Sequence, residues 1–249
     1  MGFRRLVRKE IRSLFPLFAV YGGAVTALHA IVMFKGGPLG NEAVQIVALL
    51  LPFLFASAIV IGIGYFQLST EWKTNSIYLL LSLPIRGWKV LLAKLGALLL
   101  LLGATLLWIA ASYSLFLLRS AGTALFTDQE WGDHSFRSTL SNLAGNSLWM
   151  YLLSVVLLVM LVQFAFLSGQ LVARFRWVMA LIAFFAGTWV IYRIAPFLSD
   201  VLSWLPDFSF GGSLSGIVYL HSGLFAALVL LGVGLAWLNG YLFEKVVEV

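Results

Sequence analysis

The chain has 249 residues, of which 61% are hydrophobic and only 10% charged, with a mean hydropathy of +1.00. A soluble domain is nearer a quarter charged, so this chain cannot clothe itself in polar surface, and an integral membrane protein is what remains. The net charge of +6 does not argue for nucleic acid, because the basic residues are spread over segments between apolar spans, and the absence of cysteine excludes disulfides and thiolate metal sites.

The N-terminus opens with Phe3, Leu6, Val7, Ile11, Leu14 and Phe15 at helical spacing, with Arg4, Arg5, Arg8, Lys9 and Arg12 filling much of the rest. Residues 1–13 therefore read as an amphipathic helix lying on the membrane surface. The apolar stretch that follows is span-length and has no small-residue cleavage site, so it reads as retained rather than as a cleaved signal. Met1-Gly2 begins like a myristoylation signal, but Leu6 stands where serine or threonine is required.

Six spans follow, each long enough to cross a hydrocarbon core of about 30 Å. They are placed at Leu14–Phe34, Val44–Leu68, Leu91–Leu118, Leu148–Val172, Val178–Leu198 and Gly223–Phe243. The expected fold is all-α and polytopic, one transmembrane domain over 1–249 with no inserted soluble domain and no internal repeat.

Orientation follows from lysine and arginine. With the N-terminus inside, the inner segments hold Arg4, Arg5, Arg8, Lys9, Arg12, Lys73, Arg86, Lys89, Lys94, Arg174, Arg176 and Lys245. The outer segments hold only Lys35, Arg119, Arg137 and Arg193. Twelve against four puts both termini in the cytoplasm.

Two outer segments are long. Ser120–Ser147 carries Asp128, Glu130, Trp131, Asp133 and His134. Residues 199–222 carry Trp204, Leu205, Phe208, Phe210, Ile217, Val218 and Tyr219, too apolar for a free loop. Short helices dipping into the outer leaflet are expected there, with Gly211-Gly212 at the turn.

The inner loop at 69–90 carries the most informative pattern. Read as a helix, Trp72 to Leu83 aligns Trp72, Leu79, Leu80 and Leu83 on one side, with Lys73 and Asn75 away from it. Leu83-Pro84 ends that helix, and Arg86-Gly87 continues the turn. Trp88, Lys89 and Lys94 read as interfacial anchors of the next span, the lysines reaching back to water. An ordinary basic loop obeying membrane topology is the plainer alternative.

Glu71 at the end of the second span, then a short helix, then Leu81-Ser82-Leu83-Pro84-Ile85-Arg86, then Lys94 opening the third span resembles the type-2 ABC transporter permeases. The resemblance implies an ATPase-coupling helix in this loop, with Glu71, Trp72, Lys73, Asn75, Leu79, Leu83, Pro84, Arg86 and Lys89 at the contact. It also implies a connecting helix at the N-terminus, re-entrant outer helices before the last span, and an exporter in the cell membrane, bacterial by family. Partners would be ABC ATPase subunits, a second permease chain (like or unlike) and membrane lipid. Glu71 is expected near the start of the coupling helix, where the helix dipole favours negative charge.

Other chemistry is sparse. No G-x-x-x-x-G-K-[ST] motif occurs, so this chain has no cofactor of its own, and ATP and magnesium would bind the partner. No acid is placed within a span, which weakens a proton- or ion-coupled carrier, and His29 reads as the one titratable group well inside a span. It is expected to bond neighbouring helices rather than relay protons. Ser213, Ser215 and His221 do not form a protease signature, and the three histidines are too scattered for a metal site. Gln163 and Gln170 share a face of the fourth span and read as helix glue. Pro52 predicts a kink in the second. A permease subunit is the leading reading; a non-transporting scaffold or sensor subunit of an ABC-like complex, or a secondary carrier, are the alternatives.

Overall fold

The computed structural model describes residues 2–35, 42–74, 87–121, 134–172, 175–206, 208–210, 218–220 and 222–247. These form six helices and one small ribbon: α1 Gly2–Lys35, α2 Glu42–Lys73, α3 Gly87–Ala121, α4 His134–Gln170, α5 Arg176–Val201, β1 Phe208–Phe210, β2 Val218–Leu220 and α6 Ser222–Val247. All six helices contain an apolar stretch long enough to cross a bilayer, from 24 residues in α4 and α6 to 30 in α1. The protein is a six-helix, multi-pass membrane protein. Its lipid-like exterior is plainest on α5, where Ala195 is buried while Trp177, Phe185, Trp189 and Tyr192 are exposed. Such a helix is untenable in water and well matched to hydrocarbon.

Three expectations need correction. Residues 1–13 are not a separate interfacial helix; they are the first turns of α1, which runs unbroken through Pro16 to Lys35. Pro16 removes one backbone N–H without ending the helix, and in lipid the backbone groups are best satisfied by continuing it. Residues 199–222 do not form re-entrant helices among the described residues. Helix α5 ends at Val201, and Phe208↔Leu220, Ser209↔Tyr219 and Phe210↔Val218 then pair as an antiparallel ribbon. Aromatic and β-branched residues flanking the glycine-rich 211–216 favour a hairpin over a helix; residues 211–217 lie outside the described residues. Finally, α4 starts at His134, well inside the segment read as a long outer loop; Asp128, Glu130, Trp131 and Asp133 lie outside the described residues.

Contacts divide the chain into two compact units, 1–62 with 96–132 and 63–95 with 133–249. In the first, the sequence's one mid-span histidine and its one mid-span proline in α2 turn out to be a matched pair. Pro52 has no N–H, so the Ala48 carbonyl loses its helical partner four residues on. His29 Nε2 donates to that carbonyl at 3.1 Å, and both residues are buried. Because a carbonyl only accepts, Nε2 is the donor, and Nδ1 lies 2.8 Å from Ser112 Oγ on α3. Tyr21 donates to the Pro52 carbonyl, and Trp108 Nε1 donates to Thr26 Oγ1 at 2.9 Å. His29→Leu should cost about 1–2 kcal/mol by orphaning a buried carbonyl. Pro52→Ala, which restores the helical N–H, should recover part of that loss in the double variant; equal unfolding free energies for the single and double variants in detergent would refute the pairing.

The second unit is built on Leu68, Leu91, Phe166, Leu167 and Phe243, with Trp72 and Leu242 packed against them. Asn239, 1% exposed, donates from Nδ2 to the Met160 carbonyl at 2.9 Å and ties α6 to α4. Gln163, expected as helix glue, is buried and lines a cavity of ≈ 10 Å³ with Asn239 between α3, α4 and α6.

Candidate functional site

The site lies in the second unit, where α2 ends at Lys73 and α3 begins at Gly87. Between these ends runs 75–86, so Asn75, Leu79, Leu80, Leu83, Pro84 and Arg86 of the expected coupling stripe lie outside the described residues. Its two shoulders are described in full.

Lys94 is two turns into α3 and 1% exposed, and it is the largest fully buried side chain among the described residues. Its Nζ lies 2.6 Å from Glu71 Oε1. The reading of Lys94 as an anchor reaching water is therefore corrected, as is that of His29 as the one titratable group inside a span. Both Glu71 and Lys94 fall within the apolar segments Val47–Lys73 and Gly87–Leu115, and Glu10 is buried in Phe3–Val32. The lysine stem cannot snorkel because its neighbours Val90, Leu91, Ala93, Ala97 and Leu98 are themselves buried. The charge is accommodated instead by a carboxylate brought from the other shoulder.

Glu71 lies at the end of the second span, where the resemblance has its glutamate, and not within a following helix. It sits two residues before the C-terminus of α2, where the helix dipole opposes a carboxylate rather than favouring it. Lys94 offsets that opposition. The pair thus fastens the last turn of α2 to the second turn of α3 and closes the base of the 75–86 segment.

Trp72 and Lys73 likewise belong to α2. The Trp72 ring meets Phe166 edge-on at 5.4 Å between centroids and Phe243 at 5.8 Å, and Tyr65 meets Phe166 at 5.4 Å. Trp72 is therefore engaged inside the chain, which removes it from the face expected to fill a partner's groove. Lys89 is exposed in the first turn of α3, its ammonium 5.4 Å from the centroid of Trp88.

Two contributors were not legible in the sequence. Glu244, near the end of α6, accepts from the Gly87 N–H at 3.1 Å and so caps the N-terminus of α3, where a negative charge suits the dipole. Gly240 lets α6 approach α3 closely: a Cβ there would lie 2.6 Å from Trp88 Cβ and 3.3 Å from its Cα. A glycine spaced four residues before Glu244 is the only sequence hint, and it is a weak one.

Among the described residues the arrangement contains no cluster of metal ligands, and its central element is the buried Glu71–Lys94 ion pair. No family model, curated protein or solved structure matches the chain.

Proposed function

We propose that the chain is the transmembrane permease subunit of an ABC exporter, driven by a separate ATPase subunit that docks on the 69–90 segment. The observation that carries the reading is the Glu71–Lys94 pair. Two of the residues on which the resemblance to type-2 ABC permeases rests, on opposite sides of the loop, bind each other and stiffen its base. A force applied to a loop on a stiff base is passed to α2 and α3 instead of being lost in local bending. The stripe that meets the ATPase is Leu79, Leu80 and Leu83, with Arg86 and Lys89 beside it; Trp72 acts within the bundle.

On this reading both termini and the loop face the cytoplasm of a bacterial cell, in keeping with the twelve-to-four distribution of basic residues. ATP and magnesium bind the partner. Six spans make half of a transmembrane unit, so a second permease chain completes it. Native mass spectrometry of the detergent-extracted complex should give two permease chains with two ATPase chains. A stable, ATP-hydrolysing complex holding a single permease chain would contradict the proposal.

A further inference from the structure

Three helix ends meet on one side of the second unit. Helices α2 and α4 finish at Lys73 and Gln170, α5 starts at Arg176, and all three residues open onto a pocket of ≈ 280 Å³. The apolar segments of these helices end at the same residues, which puts the pocket at the level of lipid headgroups rather than in the hydrocarbon.

Its charge is one-sided. Lys73 and Arg176 line it, no carboxylate does among the described residues, and neither cation is ion-paired among those residues. Ser69 is 7% exposed, and its hydroxyl, on the pocket wall, makes no hydrogen bond among the described residues. The Gln170 amide is in the same position. Helix α5 begins at Arg176 without a side-chain cap, so the positive end of its dipole adds to the two cations. The remaining wall is aromatic. Trp72 and Phe166 form the inner side, and Tyr65 and Trp177, 49% and 71% exposed, form the lipid side. Cations and hydroxyl suit a phosphate, and exposed aromatic rings at headgroup level suit the acyl chains attached to it. A zwitterionic headgroup would bring an ammonium that finds no carboxylate in this pocket.

We propose that this pocket binds the headgroup of an anionic phospholipid, with Lys73 and Arg176 on its phosphate and Ser69 and Gln170 donating to its oxygens. The site depends only on the membrane-spanning fold and not on the transport reading.

The test uses the full chain, purified and stripped of lipid, then offered phosphatidylglycerol, phosphatidylcholine or inorganic phosphate and examined by native mass spectrometry. Wild type should retain phosphatidylglycerol at least tenfold more than phosphatidylcholine, and millimolar phosphate should not displace it. The double variant Lys73→Gln/Arg176→Gln should lose at least tenfold in retention, while Lys245→Gln/Arg193→Gln, which removes two cations elsewhere, should not. Equal retention by the two double variants would overturn the site. Displacement by inorganic phosphate would reassign it to a free anion and overturn the lipid.

Discussion

Lys94→Met should destabilise the protein by about 3–5 kcal/mol, the largest effect expected of any single substitution described here. Methionine fills nearly the volume of the lysine stem, so packing is kept and only the charge is lost. The Glu71 carboxylate then remains buried at the C-terminal end of α2, against the helix dipole and deprived of the Lys94 ammonium. The double variant Glu71→Gln/Lys94→Met removes both charges and should regain most of the loss, because a buried ion pair contributes little net stability over a well-packed neutral pair. Unfolding free energies in detergent for the two singles and the double give the coupling directly. If Lys94→Met unfolds like wild type, the pair is not buried as described. The same logic disqualifies Glu71→Ala as a probe of ATPase docking, since its first effect is on the bundle.

Gly240→Leu is the second large effect, at about 3 kcal/mol, the upper end of the overpacking range. The obstruction is the Trp88 Cβ and Cα, which are fixed to the α3 backbone, and not the mobile end of a side chain. Relief requires α6 to move away from α3, which pulls the Glu244 carboxylate from the Gly87 N–H. Two neighbouring glycines set the contrast. Gly234 and Gly96 have nothing within 4 Å of an added Cβ, so Gly234→Leu should be nearly silent in the same unfolding assay. Similar losses for Gly240→Leu and Gly234→Leu would mean that the cost is not contact with Trp88.

What could be read in advance follows from the physics of each signal. The six spans were legible because twenty or so apolar residues in a row have one explanation, and the observed apolar segments agree with the expected ones at most ends within a few residues. The role of His29 as a bond between helices was legible because a lone polar group in a span must find a partner. Its partner was not, since that required noticing that Pro52 frees the carbonyl of Ala48. Local pattern misled at Trp72, which was read into a helix running on to Leu83. Helical periodicity continues smoothly from α2 into the loop, so nothing in the spacing marks Lys73 as the end of one helix rather than a residue within another. Lys94 was misread because a lysine near a span end ordinarily snorkels, and only the buried neighbours on α3 show that it cannot. The ribbon was misread because the same aromatic residues satisfy a period of two as well as an irregular dip into the membrane. Glu244 and Gly240 act through α6, far along the chain from the residues they touch, and no local rule reaches them.

The central claim is that an ATPase grips the 75–86 segment between the two shoulders joined by Glu71 and Lys94. Leu83→Asp tests it most directly, because Leu83 stands on the expected docking stripe and outside the ion pair. With normal expression and membrane insertion, the affinity of the purified chain for its ATPase should fall about thirtyfold, the equivalent of about 2 kcal/mol for a lost anchor residue, and ATP hydrolysis by the complex should uncouple from the permease. Wild-type ATPase affinity and activity in Leu83→Asp would contradict the claim and leave the segment a basic tether on a membrane protein of another kind.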